Sequence, residues 1–385
     1  MLNLHRKSKY PIGLDISDYS LKLVQLNKKG RDSIDIQAIS KIPLEKGLIN
    51  NGEIVNKIKV IEAIKKLIDK PLNGKISSHE VVACLPETKT YLKLIHIEKS
   101  PNELVNIIEA EIEKHIPVAL EDMYYDWQII ESKRDGDLVL VGACPKNIVK
   151  QYIEILKEAK LSIVGLEIEA VAIARSLLKE ESPKIKKIKN RENHLIIDIG
   201  KKRTSMFVYS RNTPLFTLSL PLSGEQITSH IAQSLEIDED QAEKAKIVCG
   251  LDKTKAKGII RNILSDTIDN IIERIDESID YFNHHFPDRG EINQIQICGG
   301  GSSIKNIDTY IEEASSIKTT KGNSLINFNN KTETLDNYFL EVYKIKSDFS
   351  GNSKDSKSMT INQDSRLTYA TAIGLALRNI FNQKL

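Results

Sequence analysis

The sequence predicts an α/β fold made of two related halves with a cleft between them, and three observations carry this prediction. Residues 10–22 and residues 194–206 repeat one pattern, in which an apolar strand runs into an aspartate, a tight polar turn and a second strand. Amphipathic helices, such as residues 55–68 and 147–159, alternate with the apolar strands. A further apolar strand, residues 294–298, ends in three consecutive glycines. The repeated hairpin therefore indicates a duplicated fold.

The composition is that of a globular protein with sizeable cores. The chain has 385 residues, of which 40% are hydrophobic and 28% charged, enough for two or more domains. Its formal net charge of +2 argues against a nucleic-acid-binding surface. The four cysteines are scattered without a CxxC pair, as expected for thiols in a reducing cytosol.

We expect a cytoplasmic protein, because no apolar run is long enough to span a bilayer. The basic first nine residues lack the apolar core of a signal peptide. They form either a solvated arm or a contact for anionic lipid, so any membrane association is expected to be peripheral.

The order of strands and helices predicts six segments along the chain. The expected boundaries are 1–79 for the first half, 80–163 for a small inserted α/β subdomain, 164–192 for the return to the first half and a charged linker, 193–316 for the second half with a helical block, 317–365 for a polar flexible insert, and 366–385 for a closing helix of small residues.

The first turn carries side chains suited to phosphate and a metal ion. Asp15 ends the strand, where a carboxylate can hold a hydrated Mg²⁺. Ser17 and Ser20 offer hydroxyls, and Lys22 supplies a point charge for phosphate. By itself this turn is equally compatible with an ordinary polar hairpin whose lysine points outward.

The second turn repeats the arrangement with Asp198 as a second candidate for water-mediated Mg²⁺ contact. Gly200 lets backbone N–H groups approach an anion, and Thr204 adds a hydroxyl. Alone, this turn is also a weak signal.

The triple glycine is a stronger signal than either turn. Gly299, Gly300 and Gly301 allow the backbone to lie close to a flat ring or a ribose, which an ordinary strand–helix turn does not require. On a separate predicted helix, Glu243 and Lys246 share one face. They form either a surface ion pair of small energetic value or a pair that holds a nucleoside.

The order of these motifs resembles the actin-like ATPase superfamily and, within it, the family of the type IV pilus assembly protein PilM, which is related to the cell-division protein FtsA. The resemblance covers nearly the whole chain except residues 330–364. Beyond the two turns and the glycines, it rests on residues 1–4, 12–15, 111–117, 122–126, 166–171, 219–228, 242–246 and 372–378.

The resemblance implies an actin-like (ribonuclease H-like) fold, with duplicated domains around a nucleotide cleft and a small inserted α/β subdomain. It implies ATP and Mg²⁺ as cofactors, bound by the residues named above, with no catalytic residue assigned. The implied partner is the cytoplasmic N-terminal tail of the membrane protein PilN, docked in a groove between the first domain and the inserted subdomain. PilO and the pilus motors would connect through PilN, and a ring of identical subunits on the inner face of the membrane is implied as well.

Two departures from the family pattern bear on activity. Ser17 stands where the family usually has glycine, and Lys201, Lys202 and Arg203 follow Gly200 where small residues are usual. These cations can pair with phosphate, but we expect ATP binding with weak or no hydrolysis. Two other functions remain open. FtsA-like attachment of division filaments to the membrane predicts a C-terminal amphipathic helix after a linker. A sugar or acetate kinase needs a second substrate pocket and a catalytic aspartate in the first domain.

Overall fold

The computed structural model of the protein describes residues 10–29, 33–98, 104–115, 118–132, 134–179, 192–328 and 363–380. The basic first nine residues and most of the charged linker fall outside these ranges. Across the described residues, no helix is both long and apolar enough to cross a membrane.

The first half is built on a six-stranded sheet with the order β11-β7-β1-β2-β3-β6. Its strands are β1 (Ile12–Ser17), β2 (Ser20–Lys29), β3 (Ser33–Pro43), β6 (Asn73–Gly74), β7 (Glu80–Leu85) and β11 (Ser162–Ile168). A separate two-stranded hairpin joins β4 (Ile49–Asn50) to β5 (Glu53–Ile54).

Helices cover both faces of this sheet because the strands carry apolar side chains on both sides. Helices α1 (Lys57–Asp69) and α3 (Lys146–Glu158) pack on one face. Helices α4 (Glu169–Leu177) and α9 (Ala370–Leu377) pack on the other. A Cβ atom at Gly13 would lie 2.2 Å from the Ala372 carbonyl oxygen, so glycine lets α9 lie directly on β1.

The second half is built on an eight-stranded sheet with the order β16-β15-β12-β13-β14-β8-β10-β9. Its strands are β8 (Tyr91–Glu98), β9 (Met123–Ser132), β10 (Gly136–Pro145), β12 (His194–Ile199), β13 (Thr204–Ser210), β14 (Thr213–Leu220), β15 (Gln294–Cys298) and β16 (Thr319–Lys321). The associated helices are α5 (Gly224–Leu235), α6 (Glu239–Val248), α7 (Ile259–His285) and α8 (Ile307–Ser315). Strand β16 lies inside the segment 317–365, which is expected from the sequence to be a flexible insert, and pairs in parallel with β15. Residues 329–362 of that segment lie outside the described ranges.

The segment expected as an inserted subdomain, residues 80–163, divides between the two sheets. Strand β7 pairs in parallel with β1 and β11, and its apolar run is buried on both faces, as is usual for a central parallel strand. Helix α3 packs in the core of the first half. The part that stands apart is therefore β8, β9 and β10 with helix α2 (Leu104–His115).

This three-stranded part extends the sheet of the second half. Strand β8 pairs with β14, with Phe216 opposite Lys93. Glu131 on β9 lies 3.7 Å from both Arg211 and Arg289 of the second half. The insert is thus connected through the chain to the first half but packs against the second.

Candidate functional site

The two halves present the same arrangement of strands at the cleft. Strand β1 pairs antiparallel with β2 and parallel with β7, and β12 pairs antiparallel with β13 and parallel with β15. Each first strand ends at an aspartate, Asp15 in one half and Asp198 in the other. The structure therefore contains the repeated hairpin that the sequence predicts, with its two turns at the cleft.

Asp15 forms a buried ion pair with Lys22, which lies directly opposite it in the hairpin. The Lys22 Nζ atom donates to Asp15 Oδ2 at 2.6 Å, and the Cys84 thiol lies 3.7 Å from the other oxygen. Burial alone lowers the pKa of Lys22, but the attraction and hydrogen bond of Asp15 outweigh it, so the net shift is upward. Ser17 and Ser20 bond to each other across the turn, where Ser17 Oγ donates to the Ser20 carbonyl at 2.9 Å.

Asp198 has no cation opposite it, because its partner in the hairpin is Ser205. Burial raises the pKa of Asp198 to about 6, and Lys22 only partly opposes this shift. Thr204 is fully buried, and its hydroxyl has no hydrogen-bond partner within the described ranges. A carboxyl with no cation opposite it and a hydroxyl without a partner thus lie at the second turn.

The three glycines bring the backbone close to Asp198. Gly299 has φ +76°, and a Cβ atom there would lie 2.1 Å from Asp198 Oδ1. A Cβ atom at Gly301 would lie 2.2 Å from the Ile199 side chain, whereas one at Gly300 would meet nothing within 4 Å. Two of the glycines are required by packing, and Gly300 borders open space.

Glu243 and Lys246 lie next to the second turn rather than on an open surface. Lys246 is 4% exposed and its Nζ donates to Thr228 Oγ1 at 2.7 Å and to the Gly224 carbonyl at 3.2 Å. It also pairs with the half-exposed carboxylate of Glu243. Gly224 in turn donates its N–H to the Gly200 carbonyl at 3.0 Å, so helix α5 connects this pair to the turn.

Glu169 is a cleft residue that the site prediction omitted. It begins helix α4, and the Thr371 hydroxyl lies 3.1 Å from its Oε1 atom. Burial raises its pKa well above the ordinary value, and the charges of Asp15 and Asp198 raise it further. In the sequence, Glu169 is a single acidic residue between a strand and an alanine-rich helix, which is not a recognisable site motif. Only the three-dimensional fold brings it under the influence of the charges of Asp15 and Asp198.

Side chains of the two turns also contact each other across the cleft. Lys202 Nζ lies 2.7 Å from Asp18 Oδ2, and Tyr19 donates its hydroxyl hydrogen to Glu225 at 2.6 Å. Lys201 lies over the Tyr19 ring, 4.6 Å from its centre. Two residues of the basic run after Gly200, which from the sequence could pair with phosphate, therefore have partners in the first half.

The donor set fits a nucleotide with a hydrated cation better than a directly coordinated metal. No group of three or more His, Cys, Asp or Glu side chains that could hold a metal ion occurs in the part of the chain that the structure describes. Mg²⁺ keeps most of its water and needs only one or two carboxylates. Asp198, which has no cation opposite it, meets that requirement, and the open space at Gly300 gives room for a ring.

The fold and this cleft define an actin-like protein, and known structures agree. The structure of a PilM-PilN type IV pilus biogenesis complex superposes with a TM-score of 0.73 and 21% identity, over 96% of this chain and 98% of that one. MreB5 of Spiroplasma citri bound to ADP matches with a TM-score of 0.51 and 14% identity, over 90% of this chain and all of that one. EutJ of Carboxydothermus hydrogenoformans matches with a TM-score of 0.52 and 14% identity, over 96% of this chain and 89% of that one.

Sequence comparison identifies the family. A model of the family "Type IV pilus assembly protein PilM" matches residues 13–380, and the chain belongs to this family. The cell division protein FtsA of Borreliella burgdorferi is 21% identical over 78% of this chain, and that of Pseudomonas aeruginosa is 21% identical over 66%. These matches span 66% and 64% of the two FtsA proteins, slightly less than two thirds of their length. The expected resemblance to PilM and the actin-like fold class are both confirmed.

Proposed function

We propose that this protein is a cytoplasmic, nucleotide-binding scaffold of type IV pilus assembly. In this proposal it binds ATP with Mg²⁺ in the cleft and docks the cytoplasmic tail of a PilN-like membrane protein. Through that partner it connects to PilO and the pilus motors, and it stays peripheral to the inner membrane as part of a ring of identical copies. The proposal that the cleft binds a nucleotide is supported mainly by its two aspartates. Asp15 lies beside Lys22, and Asp198 lies beside the glycine turn that begins at Gly299.

The cleft residues have distinct proposed roles. ATP, when bound, supplies a polyphosphate chain whose charge the site must neutralise. Lys22 and the hydroxyls of Ser17 and Ser20 would contact phosphate oxygens, and Asp198 would accept hydrogen bonds from the water around Mg²⁺. On the nucleoside side, Glu243 and Lys246 lie against the sugar and base, and Gly200 and Gly299 to Gly301 supply close backbone.

We propose binding with slow turnover rather than rapid hydrolysis. The Lys22 ammonium is already paired with Asp15, and Lys202 is paired with Asp18, so two of the cations near the turns carry existing partners. Burial also raises the pKa of Glu169, which disfavours the ionised form that a general base needs. Phosphate release below roughly 1 s⁻¹ by the purified protein is the expected result, and faster release would contradict it.

A cavity between the insert and the second half, bordered by the turn that follows β7, is the proposed docking place for the tail. Its volume is about 280 Å³, just below the roughly 300–1,000 Å³ typical of sites for drug-sized ligands. It is therefore suited to one or two side chains of a peptide rather than to ATP. The lining residues are Glu87, Thr88, Thr90, Tyr91, Leu92, Lys93, Ile95, Ile112, Val141, Arg203, Thr217 and Ser219.

The cavity combines an apolar floor with one acidic group. Ile95, Ile112 and Val141 supply the apolar part. Burial raises the pKa of Glu87 to about 7, and its Oε2 atom has no hydrogen-bond partner among the described residues. A peptide that places an aliphatic side chain on the floor and an N–H donor at Glu87 would satisfy both features.

An FtsA-like role is the second candidate, because two FtsA proteins match the chain at 21% identity. The pilus role is favoured, since the PilM family model extends from residue 13 to residue 380.

The test is a calorimetric titration of the full-length protein with the N-terminal cytoplasmic peptide of its PilN-like partner. Saturable binding that weakens at least tenfold in Ser219→Leu, which fills the cavity, is the expected result. Glu80→Gln, an exposed acidic residue on β7 outside the cavity, is the matched control and should bind as wild type. Absence of binding to the wild-type protein would contradict the scaffold role.

A further inference from the structure

One end of the second half combines exposed apolar side chains with lysines. It is built from the loop of residues 249–258, which joins α6 to α7, and from Lys305, which lies just before α8. The Leu251 N–H donates to the Lys305 carbonyl at 2.9 Å, so these ends of the three helices lie together. We call this surface, residues 248–259 with Lys305, the basic tip.

Two large apolar side chains border the loop of the basic tip. Val248, the last residue of α6, is 58% exposed, and Ile259, the first residue of α7, is 49% exposed. Between them, residues 253–257 are exposed without interruption, so the loop projects from the surface. The basic tip therefore offers apolar groups on a protrusion rather than in a groove.

The basic tip also carries cations without partners. Its four lysines are exposed, and none of them forms an ion pair or a side-chain hydrogen bond with any residue that the structure describes. They are Lys253, Lys255, Lys257 and Lys305. On α1, in contrast, the exposed side chain of Ile58 stands beside Lys59, which pairs with Glu45 at 2.7 Å. The lysines of the basic tip keep their charge available for an external anion.

Asp252 is the one acidic residue between positions 248 and 259, and its carboxylate is bonded within the loop. Its Oδ1 atom accepts from the Thr254 N–H at 2.9 Å and from the Thr254 hydroxyl at 2.7 Å. These hydrogen bonds lower the pKa of Asp252, and the charges of Lys255 and Lys305 lower it further. Lys305 thus lies close enough for its charge to act on the loop, and four cations outnumber one carboxylate.

The start of α7 adds to the positive field of the basic tip. Ala256, Lys257 and Gly258 are left-handed, with φ of 44°, 53° and 76°, and α7 begins directly after them. No side chain caps this helix end, and its first turn holds no acidic residue. The positive end of the helix dipole is therefore not neutralised there.

We propose that the basic tip binds the surface of an anionic phospholipid membrane directly. Val248 and Ile259 enter the boundary between headgroups and acyl chains, and the lysines contact headgroup phosphates. Lysine suits this position, because its apolar stem follows the lipid while its ammonium stays among the headgroups. A peptide would need a groove or a sheet edge, which a protruding loop does not offer. This inference goes beyond the proposed function, in which the protein reaches the membrane through its PilN-like partner.

Co-sedimentation of the full-length protein with lipid vesicles, in the absence of any partner protein, tests the proposal. The vesicles contain equal parts of phosphatidylglycerol and phosphatidylethanolamine, and vesicles of phosphatidylcholine measure the neutral background. One variant replaces three lysines of the loop: Lys253→Gln/Lys255→Gln/Lys257→Gln. Its control makes the same change in net charge at three exposed lysines in and just after α1: Lys65→Gln/Lys66→Gln/Lys70→Gln.

A second pair of variants tests the apolar contribution. Ile259→Asp places an acidic residue in the first turn of α7, where the helix dipole favours it, so the fold should be retained. Ile58→Asp makes the same change in the first turn of α1, at a side chain that is 71% exposed. Thermal unfolding of both variants checks that they remain folded.

We expect the wild type to bind the anionic vesicles and not the neutral ones, and to be released by salt. The loop variant should bind about tenfold more weakly or worse, since each lysine near an anionic surface contributes roughly fivefold. Ile259→Asp should also bind more weakly, whereas both α1 controls should stay close to the wild type.

Two results would overturn the proposal and leave the proposed function standing, because no partner is present in the assay. The first is a wild-type protein that does not bind anionic vesicles, including one that binds soluble polyglutamate instead. The second is a loss of binding in the tip variants no larger than in their α1 controls, which would assign lipid contact to general charge or to other residues.

Discussion

The two halves of the cleft share their strand geometry but differ in charge. In the first half, Lys22 lies opposite Asp15 and neutralises it within a buried ion pair. In the second half, Ser205 lies opposite Asp198, whose pKa burial raises to about 6. A cysteine occupies the neighbouring parallel strand in both halves, and burial raises the pKa of both thiols, which stay protonated. The same backbone geometry thus holds one aspartate with a cation opposite it, Asp15, and one without, Asp198. We call Asp198 the uncompensated carboxyl.

The turns that follow these cysteines differ as well. After Cys298 the chain continues as Gly299-Gly300-Gly301, which lies against Asp198. After Cys84 it continues as Leu85-Pro86-Glu87, which leads into the wall of the cavity. The same position in the duplicated fold therefore places backbone close to Asp198 in one half and leads into the cavity wall in the other.

The largest expected effect comes from Asp15→Asn. The substitution leaves the buried Lys22 ammonium without its counter-charge, which costs about 3 kcal/mol of unfolding free energy when one partner of a buried pair is removed. Thermal and urea unfolding at pH 7 measure it. The double variant Asp15→Asn/Lys22→Met should recover most of the loss, because neither charge remains.

The exposed pair of Glu45 and Lys59 is the control for this first prediction. Their nitrogen and oxygen atoms are 2.7 Å apart, but the side chains are 73% and 50% exposed. Glu45→Gln should therefore lower stability by less than about 1 kcal/mol. A loss in Asp15→Asn no larger than this would contradict the buried ion pair.

Gly299→Ala and Gly300→Ala separate the packing and binding roles of the glycine turn. At Gly299 the added methyl group would lie 2.1 Å from Asp198 Oδ1, and the backbone has a positive φ of +76°. Strain of this kind lowers the unfolding free energy by about 1–3 kcal/mol. At Gly300 a methyl group meets nothing within 4 Å, so stability should stay within about 0.5 kcal/mol. Nucleotide affinity should fall in both variants. Full affinity in Gly300→Ala would show that the open space beside it is not the ring site.

Asp198→Asn should change stability in the opposite direction from Asp15→Asn. The pKa of Asp198 is raised from 3.8 to about 6 by folding, so the folded protein binds more protons than the unfolded chain between these values. Stability is therefore lost as pH rises through this window. Removing the charge should stabilise the protein at pH 7 by roughly 1–2 kcal/mol, allowing for water at the cleft wall. This gain should fade as pH falls to about 4, which chemical denaturation at a series of pH values will measure. If Asp15→Asn and Asp198→Asn change the unfolding free energy in the same direction, the proposed difference in charge between the two halves is wrong.

Lys202→Ala should have the smallest effect on stability and a clear effect on nucleotide release. Its ion pair with Asp18 is partly exposed, at 35% and 13%, so the loss should be less than about 1 kcal/mol. Because the pair joins the two halves, a fluorescent ADP analogue should leave several-fold faster in a stopped-flow displacement. Lys253→Ala, on an exposed loop, is the control. Equal release rates in the two variants would show that this contact does not hold the cleft closed.

The sequence predicts local features of this molecule well and distant pairings poorly. Asp15, Lys22 and Asp198 follow from short patterns, because a strand, its turn and its partner strand are neighbours in the chain. The parallel pairing of β7 with β1 was missed, since the sequence shows that β7 is buried but not which strands cover its edges. Asp18 and Lys202 are 184 residues apart, and the charges of Asp15 and Asp198 act on Glu169 only after the halves are assembled. No local pattern contains these contacts.

A calorimetric titration with Mg-ADP, on the wild-type protein and on Asp198→Asn, tests the central claim most directly. We expect saturable binding at one site in the wild type. We expect at least tenfold weaker binding in Asp198→Asn, which should remain folded and be more stable than the wild type at pH 7. Undetectable binding by the wild-type protein, or equal affinity in the two proteins, would contradict a nucleotide site built on the uncompensated carboxyl of the second half.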